Sequence, residues 1–222
     1  MSVPDYAVDF RGRPACPCLA EWLPVYEAEL IRRGVVKQSI DIAQLIGGAE
    51  ASANTHSKGG AFDIWQHDDV TVWVARQMGA DATWARTTGS FANSRHAHGV
   101  LTGCPHNGPA RYQIDAVRHG YNGLGSGGRG APDDGPRPLS DRTWRQGIEW
   151  AKAQQEDDMA NYADQLDTIE ANTRALLAGQ AKAQRQNAAI RGKVTKLVQK
   201  GSATRADLAE LLAAIDNDTE ES

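Results

Sequence analysis

Residues 54–63 read Asn54-Thr55-His56-Ser57-Lys58-Gly59-Gly60-Ala61-Phe62-Asp63 and join two metal-binding residue types through a pair of glycines. The glycines allow a tight turn into a strand that begins near Ala61. The imidazole of His56 and the carboxylate of Asp63 can then return to one point, about 2 Å from a shared metal ion. This stretch predicts part of a metal centre beside a strand.

A third ligand is predicted from the segment His96-Ala97-His98. Alternate residues of a strand share a face, so His96 and His98 are expected to point the same way. Two histidines and one carboxylate leave the fourth position of zinc open to water, as in catalytic sites. A single histidine is more often a surface or core residue, so the prediction depends on the joint occurrence of both segments.

The surrounding sequence predicts short strands and helices. Residues 61–65 and 96–101 are apolar segments beside glycine and indicate strands of a small sheet. Helices are expected at 21–33, ended by Gly34, and from Asp68 to Met78, capped by its aspartates. Residues 35–46 suggest a strand followed by a short helix. We expect the aromatic side chains to fill the core rather than serve as substrate platforms: Trp65, Trp84 and Phe91.

The composition changes near residue 120, which predicts a domain over 1–122 and a Gly/Pro-rich connector over 123–139. A long helix is expected over 140–200, with Ser140 as its cap, followed by a short helix from Thr204 and an acidic tail within 201–222. From Met159 to Leu197, seam positions recur in alternating steps of three and four, and they are apolar except for Thr173, Gln180 and Asn187. This seam predicts a coiled coil that self-associates; the alternative is a long helix packed on the domain or a neighbouring subunit.

Composition and charge restrict the class of protein. The net charge of −4, without a basic block, argues against nucleic acid as a partner. No apolar run approaches the roughly 18 residues needed to span a bilayer, so no membrane segment is expected. The N-terminus lacks a basic segment followed by an apolar one, and no signal peptide is expected either.

An odd number of cysteines, two of them separated by a single proline, does not make a disulfide framework. Cys16, Cys18 and Cys104 are predicted to be small, semi-buried thiols. The alternative is a second metal site that they would form with His106.

The two histidine segments resemble those of the zinc D-alanyl-D-alanine carboxypeptidases and their phage L-alanyl-D-glutamate peptidase relatives. The first motif of that family is Ser-x-His-x-x-Gly-x-Ala-x-Asp, matched by His56, Gly59, Ala61 and Asp63, and its second is a histidine within His-x-His. The resemblance covers roughly residues 20–105. It implies an α+β fold with a small antiparallel sheet and flanking helices, and Zn²⁺ bound by His56, Asp63 and His98.

Two positions differ from the family pattern. Asn54 replaces the family's serine, and Asn54 or Thr55 could still donate a hydrogen bond to a substrate. Arg95 occupies the position where many members have the acidic general base. Arginine cannot accept a proton, so His96 is the expected catalytic base, and Arg95 is expected to hold a substrate carboxylate.

Together these features predict a metallopeptidase that cleaves bacterial peptidoglycan, as a phage tail-associated lysin in the virion or an endolysin in the host cytoplasm before release. The coiled coil would attach it to tail proteins or to further copies of itself. The alternatives are a structural tail or adaptor protein with a degenerate, peptidase-like binding domain, and a metal-dependent hydrolase of another amide.

Overall fold

The computed structural model describes residues 3–47, 54–124, 130–199, 206, 207 and 210. The elements in chain order are β1 (Val8–Phe10), β2 (Arg13–Ala15), α1 (Pro17–Arg32), β3 (Ile42–Gln44), β4 (Ala61–Ile64), α2 (Asp69–Gln77), β5 (Ala82–Arg86), β6 (His96–Val100), α3 (Arg111–Arg118) and α4 (Trp144–Gln199). The architecture is α+β, with small antiparallel sheets and a long C-terminal helix, as predicted.

The central sheet has the strand order β3-β4-β6-β5, and every neighbouring pair is antiparallel. In its register, Asp63 lies opposite His98, Trp84 also lies opposite His98, and Arg86 lies opposite His96. Paired residues of adjacent strands project from the same face of a sheet. One face therefore carries the carboxylate, both histidines of the His-x-His segment and an arginine.

The two faces of the sheet have different coverings. One face contributes Phe62, Ile64 and Ala97 to a large core that includes the buried sides of α1 and α2. On the opposite face, Trp84 and Val100 pack with apolar residues of α3 in a smaller cluster. The small cluster leaves part of its face uncovered beside Asp63 and His98, which is where a cleft opens.

Most of the predicted elements are confirmed. Strands occupy residues 61–64 and 96–100, and α1 covers the predicted helix but begins earlier, at Pro17, which suits the first helical turn. Gly34 follows α1 with a φ of 72°, as a helix-ending glycine does. In α2, the carboxylate of Asp68 accepts a hydrogen bond from the backbone N–H of Thr71, which is the expected cap.

The prediction of a strand followed by a short helix in residues 35–46 is wrong. No helix follows a strand there; an irregular segment precedes β3 at Ile42–Gln44. The carboxylate of Glu27 accepts a hydrogen bond from the backbone N–H of Ile40, and Ile42 pairs with Ile64 of β4. Pairing with a neighbouring strand outweighs the local helix preference of this segment.

The predicted cap of the long helix is also wrong. Ser140 donates its hydroxyl to Asp81 instead, and α4 begins at Trp144. Thr143 is the capping residue: its backbone N–H donates to Gln146 Oε1, and its hydroxyl oxygen accepts from the backbone N–H of Gln146. This reciprocal pair is a capping box, and it was readable in the sequence as Thr143-Trp144-Arg145-Gln146.

The first turn of α4 packs closely against Met78, which follows the last residue of α2. A Cβ atom added to Gly147 would lie 1.8 Å from the carbonyl oxygen of Met78, which also accepts a hydrogen bond from the indole of Trp22. Because the clash is with backbone, Gly147→Ala is expected to lower the free energy of unfolding by about 1–3 kcal/mol, although alanine is the better helix former. Urea unfolding measures the change.

Gly192→Ala is the matched control for this prediction. It lies in the same helix, and an added Cβ would meet nothing within 4 Å. The substitution is therefore expected to raise helix stability by up to about 1 kcal/mol. Equal effects of the two substitutions on unfolding would contradict the close contact between Gly147 and the backbone of Met78.

An ion pair holds residues 130–139 against the domain. The guanidinium of Arg76 binds both carboxylate oxygens of Asp133, at 2.8 and 3.1 Å, and the indole N–H of Trp84 donates to the same carboxylate at 2.7 Å. The side chains of Arg76 and Asp133 are 0% and 2% exposed. This part of the predicted connector is irregular in secondary structure, but it carries a buried charge pair.

The chain forms two compact units that divide between Asp157 and Asp158, within α4. In the second unit the predicted seam residues are exposed, for example Met159, Leu166 and Leu176 at 69%, 63% and 71%. The helix and tail predicted after Gly201 lie outside the described residues, apart from 206, 207 and 210. Among the helices that the structure describes, none combines the length and the apolar character of a membrane span.

Candidate metal centre

Three predicted ligands meet at the edge of the cleft. His56 Nε2 lies 3.2 Å from Asp63 Oδ2 and 3.3 Å from His98 Nδ1, and His98 Nδ1 lies 2.7 Å from Asp63 Oδ1. All three residues are buried. Side chains that are 42 and 35 residues apart in sequence thus present their ligand atoms to one point, as the motif spacing predicts.

The second nitrogen of each imidazole is already committed. His56 Nδ1 donates to the carbonyl oxygen of Leu45 at 3.0 Å, and His98 Nε2 donates to Gln113 Oε1 at 2.9 Å. In a neutral imidazole the other nitrogen then carries a lone pair. Such outer hydrogen bonds fix the tautomer and orientation of metal-binding histidines.

The resulting arrangement places three hydrogen-bond acceptors close to one another. The nitrogens of His56 and His98 that carry lone pairs in the neutral rings face each other and the carboxylate of Asp63. The cluster therefore needs a cation at its centre, either a proton on one imidazole or a metal ion. Burial alone would raise the pKa of Asp63, but the hydrogen bonds and positive charge that His56 and His98 supply when protonated outweigh burial and hold that pKa far below its ordinary value. Burial lowers the pKa of His98, opposed by Asp63, which favours the neutral ring that binds metals.

The donor set fits zinc. Tetrahedral zinc with nitrogen and oxygen ligands at about 2.0–2.1 Å places those ligands about 3.3 Å apart. The His56–His98 and His56–Asp63 separations of 3.3 and 3.2 Å agree with this spacing, whereas His98 Nδ1 and Asp63 Oδ1, at 2.7 Å, lie closer together. The structure therefore brings together a group that could hold a metal ion, with three protein ligands rather than the four of a closed site.

The glycine pair brings the first two ligands together. Gly59 and Gly60 have φ values of 97° and 72°, which glycine adopts without strain. A Cβ on Gly60 would lie 2.0 Å from the side-chain oxygen of Asn107, so the space is also closed to a side chain. The turn predicted between His56 and Asp63 is thus present, and both its dihedral angles and its packing require glycine.

The cleft beside the three ligands has a volume of about 580 Å³, in the usual range for small-molecule sites. Arg86 supplies a buried positive charge in its wall. Burial lowers the pKa of Arg86 to about 10, so the guanidinium stays charged at neutral pH. Burial also raises the pKa of Tyr112, which therefore presents a neutral hydroxyl. Trp84 is in the core, but Trp65, 48% exposed, and Phe91 line the cleft.

His96 lies beside the ligands, at the wall of the cleft. Its Nδ1 donates to the carbonyl oxygen of Ser94 at 2.6 Å, and its Nε2 lies 3.9 Å from Asp63 Oδ1. The neutral ring therefore carries its lone pair on Nε2. Among the described residues that line the cleft, Asp63 is the only carboxylate, so His96 is the base nearest to the ligands that is not itself one of them.

Of the other three predicted site residues, one lines the cleft and two are exposed outside it. Thr55 is buried and lines the cleft, whereas Asn54 is exposed at a φ of 61°. Arg95 is exposed and is not one of the residues that line the cleft. Sequence reasoning missed Arg86 and Gln113; the strand period of β5 and β6 would have placed Arg86 on the face of His96 once their register was known.

Gln113 offers a test of the outer hydrogen bonds. Gln113→Ala removes the acceptor for His98 Nε2–H and is expected to weaken the binding of added zinc to this candidate centre by about 10- to 100-fold. Competition with a chromophoric chelator measures the affinity. Gln38→Ala, at an exposed position outside the cleft, should leave the affinity unchanged. Equal zinc affinity of the Gln113 variant and the wild type would rule out this orienting role.

A second group that could hold a metal is formed by Cys16, Cys18, Cys104 and His106. Its ligand atoms lie within 4.8 Å of one another, and all three cysteines are buried and unpaired. The structure thus assembles the four residues of the less favoured sequence interpretation.

Comparison with protein-family models, curated proteins and solved structures finds no match to this chain.

Proposed function

We propose that this protein is a zinc-dependent peptidase that hydrolyses peptide bonds of bacterial peptidoglycan. The observation that carries the proposal is the cluster of His56, Asp63 and His98, in which each imidazole donates its remaining N–H to a carbonyl or amide oxygen. Three protein ligands beside an open cleft favour a catalytic site over a structural one. The substrate class comes from the resemblance of the two sequence motifs to peptidoglycan peptidases.

His56, Asp63 and His98 would hold the zinc ion. Bound there, the metal would supply an acidified water, with a pKa near about 7, and a polarised substrate carbonyl. The carboxylate of Asp63, shared between both imidazoles, keeps the rings oriented and balances the positive charge.

His96 is proposed as the general base and acid that transfers the proton during hydrolysis. Its Nε2 carries the lone pair because Nδ1–H is held by Ser94, and it faces the cleft next to Asp63. It can accept a proton from the attacking water and then donate it to the amine that leaves. Imidazole suits both steps because its ordinary pKa lies close to neutral pH.

Arg86 is proposed as the residue that binds a substrate carboxylate, the role first assigned to Arg95. Its guanidinium is fixed by a hydrogen bond to the carbonyl oxygen of Asn122 and by the ring of Trp84, 4.7 Å below it. A buried, oriented guanidinium binds a planar carboxylate well. Stem peptides of peptidoglycan carry such groups beside their peptide bonds.

The exposed helix is proposed to associate with further copies of the chain, which would hold the enzyme in an assembly such as a phage tail. The seam residues from Met159 to Leu176 are apolar but more than half exposed, apart from the polar Thr173. Burying them between helices removes apolar surface from water. Sedimentation equilibrium should give a multiple of 23.9 kDa, and a single-chain mass at all concentrations would contradict self-association.

Digestion of purified peptidoglycan tests the activity. The zinc-loaded protein should release fragments with new amino termini, and mass spectrometry of those fragments identifies the bond. Zinc bound at His56, Asp63 and His98 without new amino termini would favour the second candidate, a tail or adaptor protein with a degenerate binding domain. That candidate draws support from Arg95 at the family's acidic position.

A further inference from the structure

A second set of residues that could bind a metal lies beside the glycine turn and outside the cleft. Cys16 and Cys18 stand at the start of α1, whereas Cys104 and His106 belong to the loop that follows β6. The two pairs are separated by more than 80 residues of sequence, yet their ligand atoms converge. Cys16, Cys18 and Cys104 are 0%, 5% and 3% exposed, so water has little access to their sulfur atoms.

The distances between these ligand atoms agree with a tetrahedral metal ion. Zinc bound by sulfur at about 2.3 Å and by nitrogen at about 2.0–2.1 Å places two sulfurs about 3.8 Å apart, and a sulfur and a nitrogen about 3.6 Å apart. Cys16 Sγ lies 3.9 Å from Cys104 Sγ, and His106 Nδ1 lies 3.6 Å from the sulfurs of both Cys18 and Cys104. The sulfur separation is far too long for a disulfide bond, which is about 2.05 Å.

The surroundings suit a metal-bound thiolate. The backbone N–H of Gly60 donates to Cys16 Sγ at 3.2 Å, and such hydrogen bonds stabilise charged sulfur. The ring of Tyr6 packs on His106 with ring centroids 4.3 Å apart, which holds the imidazole in place. Neutral thiols are weak hydrogen-bonding groups and would not by themselves require four ligand atoms to converge.

We propose that Cys16, Cys18, Cys104 and His106 bind one zinc ion as a closed structural site. Three sulfurs and one nitrogen complete the coordination of zinc, so no position remains for a substrate or a reactive water. The chemistry of this site therefore differs from that of the first, and the inference does not depend on peptidase activity.

The consequence is a mechanical link between the two sites. Gly60, whose N–H binds Cys16, and Gly59, where a Cβ would lie only 2.8 Å from the Cys16 Cβ, form the turn between His56 and Asp63. The Cys/His site thus holds the start of α1, the loop after β6 and the ligand-bearing turn at one point. Its role is to position the turn, because no residue of this set lines the cleft.

Zinc counting on the full-length protein tests the proposal. Elemental mass spectrometry of the wild-type protein purified with zinc should find two zinc ions per chain. Asp63→Ala should contain one, Cys104→Ser should contain one, and the double variant none. His119→Ala, an exposed histidine on the described surface, is the control and should retain two. One ion in wild type and none in Asp63→Ala would overturn the second site.

A spectroscopic measurement covers the case in which Cys104→Ser fails to fold. Cobalt(II) replaces zinc in tetrahedral sites and gives an intense thiolate-to-metal charge-transfer band when cysteine ligands are present. The Asp63→Ala protein loaded with cobalt isolates the second site and should show that band. Its absence, or an intact mass showing a Cys16–Cys104 disulfide in place of three thiols, would overturn the proposal, whatever the outcome of the peptidoglycan digestion.

Discussion

Replacing Asp63 by alanine is expected to remove zinc from the first site and to abolish peptidoglycan hydrolysis. The carboxylate contacts both histidines, so its loss leaves two neutral imidazoles that cannot balance the charge of the ion. Loss of Lewis-acid catalysis removes several kcal/mol of transition-state stabilisation, which corresponds to a fall of about 10³-fold or more in rate. His98→Ala should have the same effect.

Metal content and the release of new amino termini are measured on the same preparation. Asp115→Ala, at an exposed position on α3, is the control and should keep both zinc and activity. Circular dichroism establishes that the Asp63 variant retains its secondary structure. Continued hydrolysis by a variant without metal at this site would sink the proposed mechanism.

Replacing Asp133 by alanine is expected to lower the free energy of unfolding by about 3–5 kcal/mol, because it leaves the buried guanidinium of Arg76 without its counter-charge. The carbonyl oxygens of Thr83 and Pro136 still accept hydrogen bonds from Arg76, but they carry no charge. Asp134→Ala is the matched control. Asp134 is the exposed neighbour of Asp133, so its replacement should change the free energy of unfolding little. Urea unfolding at neutral pH compares the two variants.

The same ion pair predicts a dependence of stability on pH. Burial would raise the pKa of Asp133, but the hydrogen bond from Arg76 and its charge outweigh burial and lower that pKa. The stabilisation is therefore present above the unfolded-state pKa of about 3.9 and is lost as the pH falls through the native pKa. The stability difference between wild type and Asp133→Asn should narrow on acidification; a constant difference would contradict the assignment.

The sequence sufficed for those parts of the molecule that local patterns determine. The helix from Asp69 was readable from its capping aspartate, and the turn at Gly59 and Gly60 from glycine alone. The three residues of the candidate metal centre were predicted from the spacing of the two histidine segments. Residues 35–46 were misread because the pairing of Ile42 with Ile64 depends on a strand distant in sequence.

The cleft could be predicted less completely than the ligands. Arg86 and Gln113 belong to no motif, and their positions follow from the register of β5 on β6 and from the packing of α3. Without that register, Arg95 was the nearest cation to His96 in sequence and received the role that we now propose for Arg86. The Cys/His group was predicted as an alternative from its residue types. Only the structure shows that its members meet, because Cys18 and His106 are 88 residues apart in sequence.

The pairing of Asp63 with His98 across β4 and β6 has a thermodynamic consequence. The unfolded chain has no preformed site at these positions, so the proposed zinc ion would bind the native sheet and stabilise it by mass action. At a free zinc concentration of about one hundred times the dissociation constant, this linkage adds about 2.7 kcal/mol to stability. The stability of the paired strands would therefore depend on the concentration of available metal. The melting temperature should rise with each tenfold increase in free zinc.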